Sequence, residues 1–264
     1  MKSEIRQLKT DLIMPNYILL QEVASTNSTM KRIANTLADG TVLHAYAQTA
    51  GRGQKGNSWE AEPGKNATFS QMIRRPRLDV KKQFFLSEAV SLAIVDTLEK
   101  YATGFTIKWP NDIYHADNKV CGILIEQSLD QDGIDYAIVG VGVNINQHFF
   151  ISDAPNPTSL YRITGKEHDV MDVTRSICEK IEEYCRFDGT QEQLNALHER
   201  YLSKLYRYDG KPHLFTTPQG QQFEAIIEAV HPDGTLTLRH IANDTTHDYL
   251  FKQVGFVINK VKFL

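Results

Sequence analysis

The sequence predicts an α+β chain in two parts, with helices and strands over residues 1–208 and a small β domain over 209–264. Three observations carry this prediction. Helical and strand periodicities are both strong in the first part. After "YRYDGK" the texture changes to short alternating strands punctuated by Pro-Asp-Gly and Asn-Asp turns. Their length and spacing suit a small barrel packed on the main domain, with no internal repeat or low-complexity tract to suggest an array.

The elements follow in order. "STNSTMKRIANTL" opens on good caps and places Met30, Ile33, Ala34 and Leu37 at helical spacing. "TVLHAYAQ" reads as a strand running into a glycine loop, and "ATFSQMI" reads as the next strand. An apolar helix covers about 84–101, and "FTIKWP" is a short strand stopped by Pro110. "KVCGILIEQS" and "DYAIVGVGVNIN" form a hairpin across "LDQDG". Helices over about 170–186 and 191–206 complete the first part.

Composition narrows the function classes. Charged residues are 23 % and the formal charge is −3, so no global basic field advertises nucleic acid. The first residues lack an apolar leader, and no run is long enough to span a bilayer, so neither export nor a membrane is expected. Cys121, Cys178 and Cys185 are odd in number and lack CxxC spacing. Cys178 and Cys185 would stand roughly 10 Å apart along a helix, too far to bridge. Free thiols point to a reducing, cytoplasmic setting.

"AGRGQKGNSW" places Gly51, Gly53 and Gly56 in a GxGxxG pattern. A dinucleotide fingerprint needs a helix opening at the third glycine, but Pro63-Gly64 follows here. A Walker loop fails for the same reason and because Asn57 stands where Lys is needed. The kinase loop lacks its companion motifs. A lone match of this kind is usually a surface turn. Here Arg52 sits between glycines, with Gln48 before and Trp59 after: a fork for an oxyanion beside an aromatic face.

Two further stretches stand out. In "KWPNDIYHADNKVCGILIE", Pro110 stiffens a polar corner of Asn111 and Asp112, and Lys119 opens the next strand ahead of Gly122. Alone, these read as a turn and a solvated strand end. "GVGVNIN" sets Gly140, Gly142 and Asn144 on a strand, which suits either close approach of a ligand or a β-bulge. The histidines are scattered without metal-ligand spacing, and "HERYL" is not HExxH.

Taken together, "STN", "AYAQTAGRGxxGNxW", "KWPNDIY…NKVCGILIE", "GVGVNIN" and "NPTSL" resemble, in order and spacing, the biotin protein ligases. The resemblance runs from about Ser25 to the end. It implies a class II aminoacyl-tRNA synthetase-like mixed sheet with helices and a C-terminal SH3-like β-barrel. It also implies a short form, since the residues before Ser25 are too few for a helix-turn-helix domain. The implied reaction joins biotin and ATP into biotinoyl-5′-AMP with Mg²⁺. Biotin then passes to a lysine of biotin carboxyl carrier protein, or of the corresponding domain of a biotin-dependent carboxylase. The enzyme would be cytoplasmic, a monomer or a homodimer.

The resemblance also assigns residues. Lys119 and Arg52 become the catalytic cations, at the biotin carboxylate and α-phosphate. Ser25, Thr26, Asn27 and Gln48 would bind biotin's polar end, with Gly51, Gly122 and Gly140 bringing backbone close. Trp59 would cover adenine, Asn111 and Asn144 would serve the nucleotide, and Asp112 would hold Mg²⁺. Gln54 and Lys55 would meet the adenylate, but many relatives carry Arg at the position of Gln54, whose neutral amide cannot form the same bidentate pair with phosphate, so adenylate retention would lean on Lys55 or on loop closure. A lipoate or octanoate protein ligase is the alternative. A fatty chain needs an apolar tunnel, whereas the "STN" and Gln48 set fits a ureido ring.

Overall fold

A computed structural model describes residues 16–54, 56–151 and 156–258. The large sheet has seven strands: β1 (Tyr17–Val23), β2 (Val42–Gln48), β3 (Ala67–Arg74), β4 (Phe105–Lys108), β5 (Asp112–His115), β6 (Asn118–Asp130) and β7 (Gly133–Val143). Their spatial order is β1-β2-β3-β7-β6-β5-β4. Only β1 and β2 pair in parallel, and every other neighbour is antiparallel, so the sheet is mixed as expected.

Alternation along the central strands sorts the side chains onto two faces. Ala67, Phe69 and Ile73 of β3, Cys121 and Ile123 of β6, and Val139, Val141 and Val143 of β7 enter the main core. The other face carries Thr68, Ser70 and Met72 on β3, Gly122, Leu124 and Glu126 on β6, and Ile138, Gly140 and Gly142 on β7. Met72 and Ile138 there join Met30 and Ala34 in a second, smaller core beneath α1 (Thr26–Ile33).

Three helices cover the first face: α2 (Phe84–Leu98), α4 (Val170–Tyr184) and α5 (Gln191–Ser203). All of α2 except Ser87 and Asp96 is buried, which explains a helix that is apolar nearly all round. A short α3 (Leu160–Thr164) precedes α4, and its C-cap Gly165 has φ +71°. The three cysteines are buried and unpaired.

The C-terminal strands β8 (His213–Thr216), β9 (Gln222–Val230), β10 (Leu236–His240), β11 (Thr245–Tyr249) and β12 (Gly255–Phe256) form an antiparallel SH3-like sheet, ordered β11-β10-β9-β8-β12. Among the described residues β11 and β12 are its two ends. Its core is continuous with the main one. The indole N–H of Trp109 donates to the carbonyl of Gly234 at 3.0 Å, and Phe251 packs against Trp109 and Phe84. The small domain thereby grips the end of β4.

Candidate functional site

The site is built on the second face of the large sheet, where Gly140 and Gly142 sit between Ser70 and Thr68 on one side and Leu124 and Gly122 on the other. A Cβ at Gly140 would collide with Asn27, and one at Gly142 would collide with the indole of Trp59. At Gly122 a Cβ would stand 2.9 Å from the same indole. These glycines admit the protein's own side chains to the sheet surface.

The first turn of α1 lies over Gly140. Ser25 is its N-cap, accepting from the amide of Ser28. Gln48, at the end of β2, accepts from the Thr26 amide at 2.7 Å and the Thr26 hydroxyl at 3.2 Å. The Ser70 hydroxyl is 2.7 Å from Thr26 Oγ1 and 2.5 Å from Asn27 Oδ1, and its single proton serves one of them at a time. The Asn27 amide donates to the Leu124 carbonyl and to Glu126. Thr26 and Asn27 of "STN" are thus fixed by β2, β3 and β6 together, and Ser25 by the helix it caps.

The glycine loop forms a narrow hairpin. Arg52 and Ser58 bridge, the Gly53 amide donates to Asn57 O at 3.0 Å, and the Trp59 amide donates to Gly51 O at 3.0 Å. Gly56 turns it at φ +90°, a conformation that side chains disfavour. Arg52 forks onto Glu126 at 3.2 and 3.1 Å and also donates to Ser28. Burial alone would raise the Glu126 pKa. Hydrogen bonds from Asn27 and Arg52, with the charges of Arg52 and Lys31, hold it below the usual carboxylate range instead.

The third part is the corner of β4, β5 and β6, where the Trp109–Pro110 peptide is cis. Lys119 Nζ lies 2.6 Å from Asp112 Oδ1 and 5.6 Å from the Trp59 ring centroid. The "NPTSL" segment pins the Lys119 backbone: its amide donates to Asn156 O, and its carbonyl accepts from the Thr158 amide. The Asn111 side chain donates to the Ile123 carbonyl, which locks the corner to β6.

These parts surround one cleft of about 780 Å³, within the usual range for a small-molecule site. The structure brings into its lining Ser25, Thr26, Asn27 and Gln48 from α1 and β2, and Arg52, Gln54 and Trp59 from the hairpin. Asn111, Asp112 and Lys119 come from the corner, and Gly122 and Gly140 from the floor. Two expected residues stand outside the lining. Gly51 serves the hairpin, where a Cβ would strike the Trp59 carbonyl. Asn144 lies buried just past β7 and donates to Thr158 O at 2.9 Å, bracketing the segment that fixes Lys119. Lys55 lies outside the described residues.

Sequence reading missed four contributors. Glu126 lies within "NKVCGILIE" at even spacing from Gly122, so strand alternation could have placed it on the same face. Lys108, in "KWPND", lines the cleft from β4. Lys252 and Phe256 reach the cleft from the small domain through long-range packing that no local pattern encodes.

Among the described residues no group of three or more His, Cys, Asp or Glu could hold a metal. The single carboxylate of Asp112 fits a Mg²⁺ bound chiefly through phosphate oxygens and water. No helix among the described residues is long and apolar enough to cross a membrane.

Comparison with known proteins agrees with this geometry. Residues 20–144 match the model of the biotin/lipoate A/B protein ligase family. The bifunctional ligase/repressor BirA of Bacillus spizizenii is 35% identical over 184 residues, 67% of this chain and 56% of that protein. The biotin–[acetyl-CoA-carboxylase] ligase of Paracoccus denitrificans is 34% identical over 130 residues, 48% of this chain and 53% of the relative. The chain therefore spans about half the length of the curated relatives it matches. A biotin protein ligase from Aquifex aeolicus, solved with biotin and ATP, superposes with a TM-score of 0.75 at 25% identity, covering 93% of this chain and 100% of that one. Residues 20–144 are thus a domain of the biotin/lipoate A/B protein ligase family, and the chain resembles biotin protein ligases in sequence and fold.

Proposed function

We propose that the protein activates biotin with ATP to biotinoyl-5′-AMP and transfers the biotinoyl group to a lysine of biotin carboxyl carrier protein, or of the equivalent domain of a biotin-dependent carboxylase. The grouping on the glycine floor carries this reading. Neutral hydrogen-bonding groups, Thr26, Asn27 and Gln48, gather by Gly140; Trp59 covers Gly142 and Gly122; Lys119 lies against the indole. A polar pocket, an aromatic face and a cation in one cleft suit the ureido ring, adenine and phosphate of one folded ligand.

In the first step a biotin carboxylate oxygen bonds to the α-phosphorus, and pyrophosphate leaves with the electron pair of the broken P–O bond. Both reactants are anionic, so a fixed cation at the junction lowers the barrier. Lys119 is that cation, with Asp112 holding its ammonium and the Asn156–Thr158 segment holding its backbone. Arg52 steadies the carboxylate and phosphate from the hairpin, while Glu126 fixes its guanidinium from behind. When bound, Mg²⁺ would neutralise phosphate charge, with Asp112 as its protein carboxylate. In the second step the carrier's neutral amine attacks the acyl carbon, the amine proton is lost, and AMP departs.

The octanoate and lipoate alternative needs an apolar tunnel, and the pocket by Gly140 is hydrogen-bonding instead. A site built to satisfy polar groups rejects analogues lacking them by large factors. The test is pyrophosphate release from ATP and Mg²⁺ with biotin, lipoate or octanoate in parallel. Biotin should turn over and the fatty acids should give little signal. Equal turnover of octanoate would refute the assignment.

A further inference from the structure

The cations of the cleft are not equivalent. Arg52 faces Glu126 and Lys119 faces Asp112, each within hydrogen-bonding distance of its carboxylate. Lys108 has neither a carboxylate nor a hydrogen-bond acceptor among the described residues. Its ammonium is 5.4 Å from the centroid of Tyr114 and 4.9 Å from that of Phe256. Asp112 pairs with Lys108 in the β4–β5 ladder, yet its carboxylate turns to Lys119.

Aromatic faces attract an ammonium without neutralising it. A cation withdrawn from water with no hydrogen-bonded counter-charge is costly, and burial holds the Lys108 pKa below the ordinary lysine value. The Asp112 charge opposes that shift from a distance, while the positive charges of Lys119 and Arg207 add to it. An anion entering the cleft would supply the direct partner that Asp112, turned to Lys119, does not, and its attraction is strengthened where water is scarce.

The two lysines also occupy different places. Lys119 lies against Trp59, on the glycine floor. Lys108 lies at the wall that Phe256 of the small domain closes. They can therefore serve different parts of one polyanion.

We propose that Lys108 binds the pyrophosphate end of the nucleoside triphosphate, and that Phe256 is the positioning residue by which the small domain holds its ammonium on the cleft. This rests on the adenylation reading above. As the α-phosphorus bonds to the carboxylate oxygen, the electron pair of the breaking bond stays on the departing pyrophosphate. Lys108 meets that growing charge while Lys119 meets the charge at the α-phosphate. The small domain is then part of the nucleotide site, acting through one ring.

The test is calorimetric titration of the full chain with inorganic pyrophosphate, and separately with AMP, without biotin. Lys108→Met keeps the side-chain bulk and removes the charge. It should weaken pyrophosphate binding about 10- to 100-fold, the scale of one lost charge-assisted hydrogen bond, and leave AMP binding near wild type. Its melting temperature should not fall, because a half-buried charge with no hydrogen-bonded partner has been removed. Phe256→Leu should weaken pyrophosphate in the same direction, and Phe256→Tyr should restore it. Unchanged pyrophosphate affinity in Lys108→Met, a parallel loss of AMP, or a wild-type chain that does not bind pyrophosphate would each overturn the proposal. Because biotin is absent from the titration, a protein that binds pyrophosphate through Lys108 but fails to activate biotin would sink the earlier reading and leave this one standing.

Discussion

Gly140 and Gly142 lie on the same face of β7, two residues apart, and the same substitution should have opposite consequences at each. An alanine Cβ at 140 would overlap Asn27, with its Cγ at 2.8 Å and Nδ2 at 2.9 Å. Asn27 cannot retreat: its amide is held by Leu124 O at 3.2 Å and Glu126 at 3.0 Å, and its oxygen faces Ser70. Overpacking against so fixed a neighbour costs about 1–3 kcal/mol. At about 2–4 °C per kcal/mol, Gly140→Ala should lower Tm by about 2–12 °C. At 142 the overlap is with Trp59, whose ring nitrogen has no hydrogen-bond partner and which ends a hairpin rather than a helix. The indole can swing aside, and the lost glycine entropy of the unfolded chain returns about 0.4–1 kcal/mol. Gly142→Ala should therefore stay within about 1 kcal/mol of wild type. Trp59 should move toward water and red-shift the emission, while Trp109, 2% exposed, gives a constant background. If Trp59 covers adenine, AMP affinity should fall by roughly 5- to 150-fold, the scale of one base–aromatic stack. The measurements are thermal melts, emission spectra and AMP titration of both variants. A Gly142→Ala protein as destabilised as Gly140→Ala with unshifted emission would refute the argument.

Two further predictions follow from charge. Glu126→Gln keeps an acceptor for Asn27 but removes the charge that Arg52 forks onto, so backbone amides at 51–54 and 56–59 should exchange faster with solvent. Because the Arg52 side chain is 43% exposed, global stability should change by less than about 1 kcal/mol; unaltered exchange would mean that the hairpin's own ladder holds it. The second concerns Glu88, fully buried in α2, and His198 in α5, whose Nδ1 is 2.8 Å from Glu88 Oε1. The hydrogen bond to Glu88 raises the His198 pKa, and burial raises that of Glu88. Both shifts mean that the folded state binds protons more tightly than the unfolded chain. Their stabilisation is complete below the unfolded values, about 4.3 for Glu and 6.5 for His. It is lost as pH rises through the higher folded values. Because His198 also lowers the Glu88 pKa, both groups must be removed together: urea midpoints from pH 5 to 9 should decline more steeply for wild type than for a Glu88→Gln, His198→Gln double variant, and parallel curves would remove the pair from the account.

β2, β3, β6 and β7 were legible as short runs rich in apolar and β-branched residues bounded by turn signals, although β3 and most of β7 are buried on both faces. β1 and β5 were not. β1 is an edge strand with Gln21 and Glu22 exposed, and β5 is four residues long, entered from a cis-proline corner that reads as a turn. The cleft residues were legible only as a set: Arg52, Trp59 and Lys119 each resemble surface features until β6 and β7 bring them together. Asn144 and Gly51 show the limit of reading roles from motif position. Both lie within quoted motifs, yet they act behind the cleft, one by bracketing Thr158 and the other by letting a hairpin close. Phe256 carried no local signal, since its reach to Lys108 depends on how two sheets pack.

The contacts within the cleft also constrain how a ligand enters. Trp59 lies on the glycine floor, Glu126 forks with Arg52, and Asp112 holds Lys119, so much of the binding surface is already satisfied by the protein itself. A substrate carboxylate or phosphate reaching Arg52 or Lys119 must share or displace a carboxylate already in place, and the net gain is the difference between two charge-assisted contacts rather than the whole of one. Ion pairs organised in this way hold the cations in position without making them free anion traps, so weak anions such as chloride gain little. A polyanion that meets several cations at once gains from each exchange and from preorganised geometry. Under the proposed function, selectivity for a nucleotide carrying its own phosphates beside an acid would follow from the counter-ions the chain supplies, as much as from the cations that face the cleft.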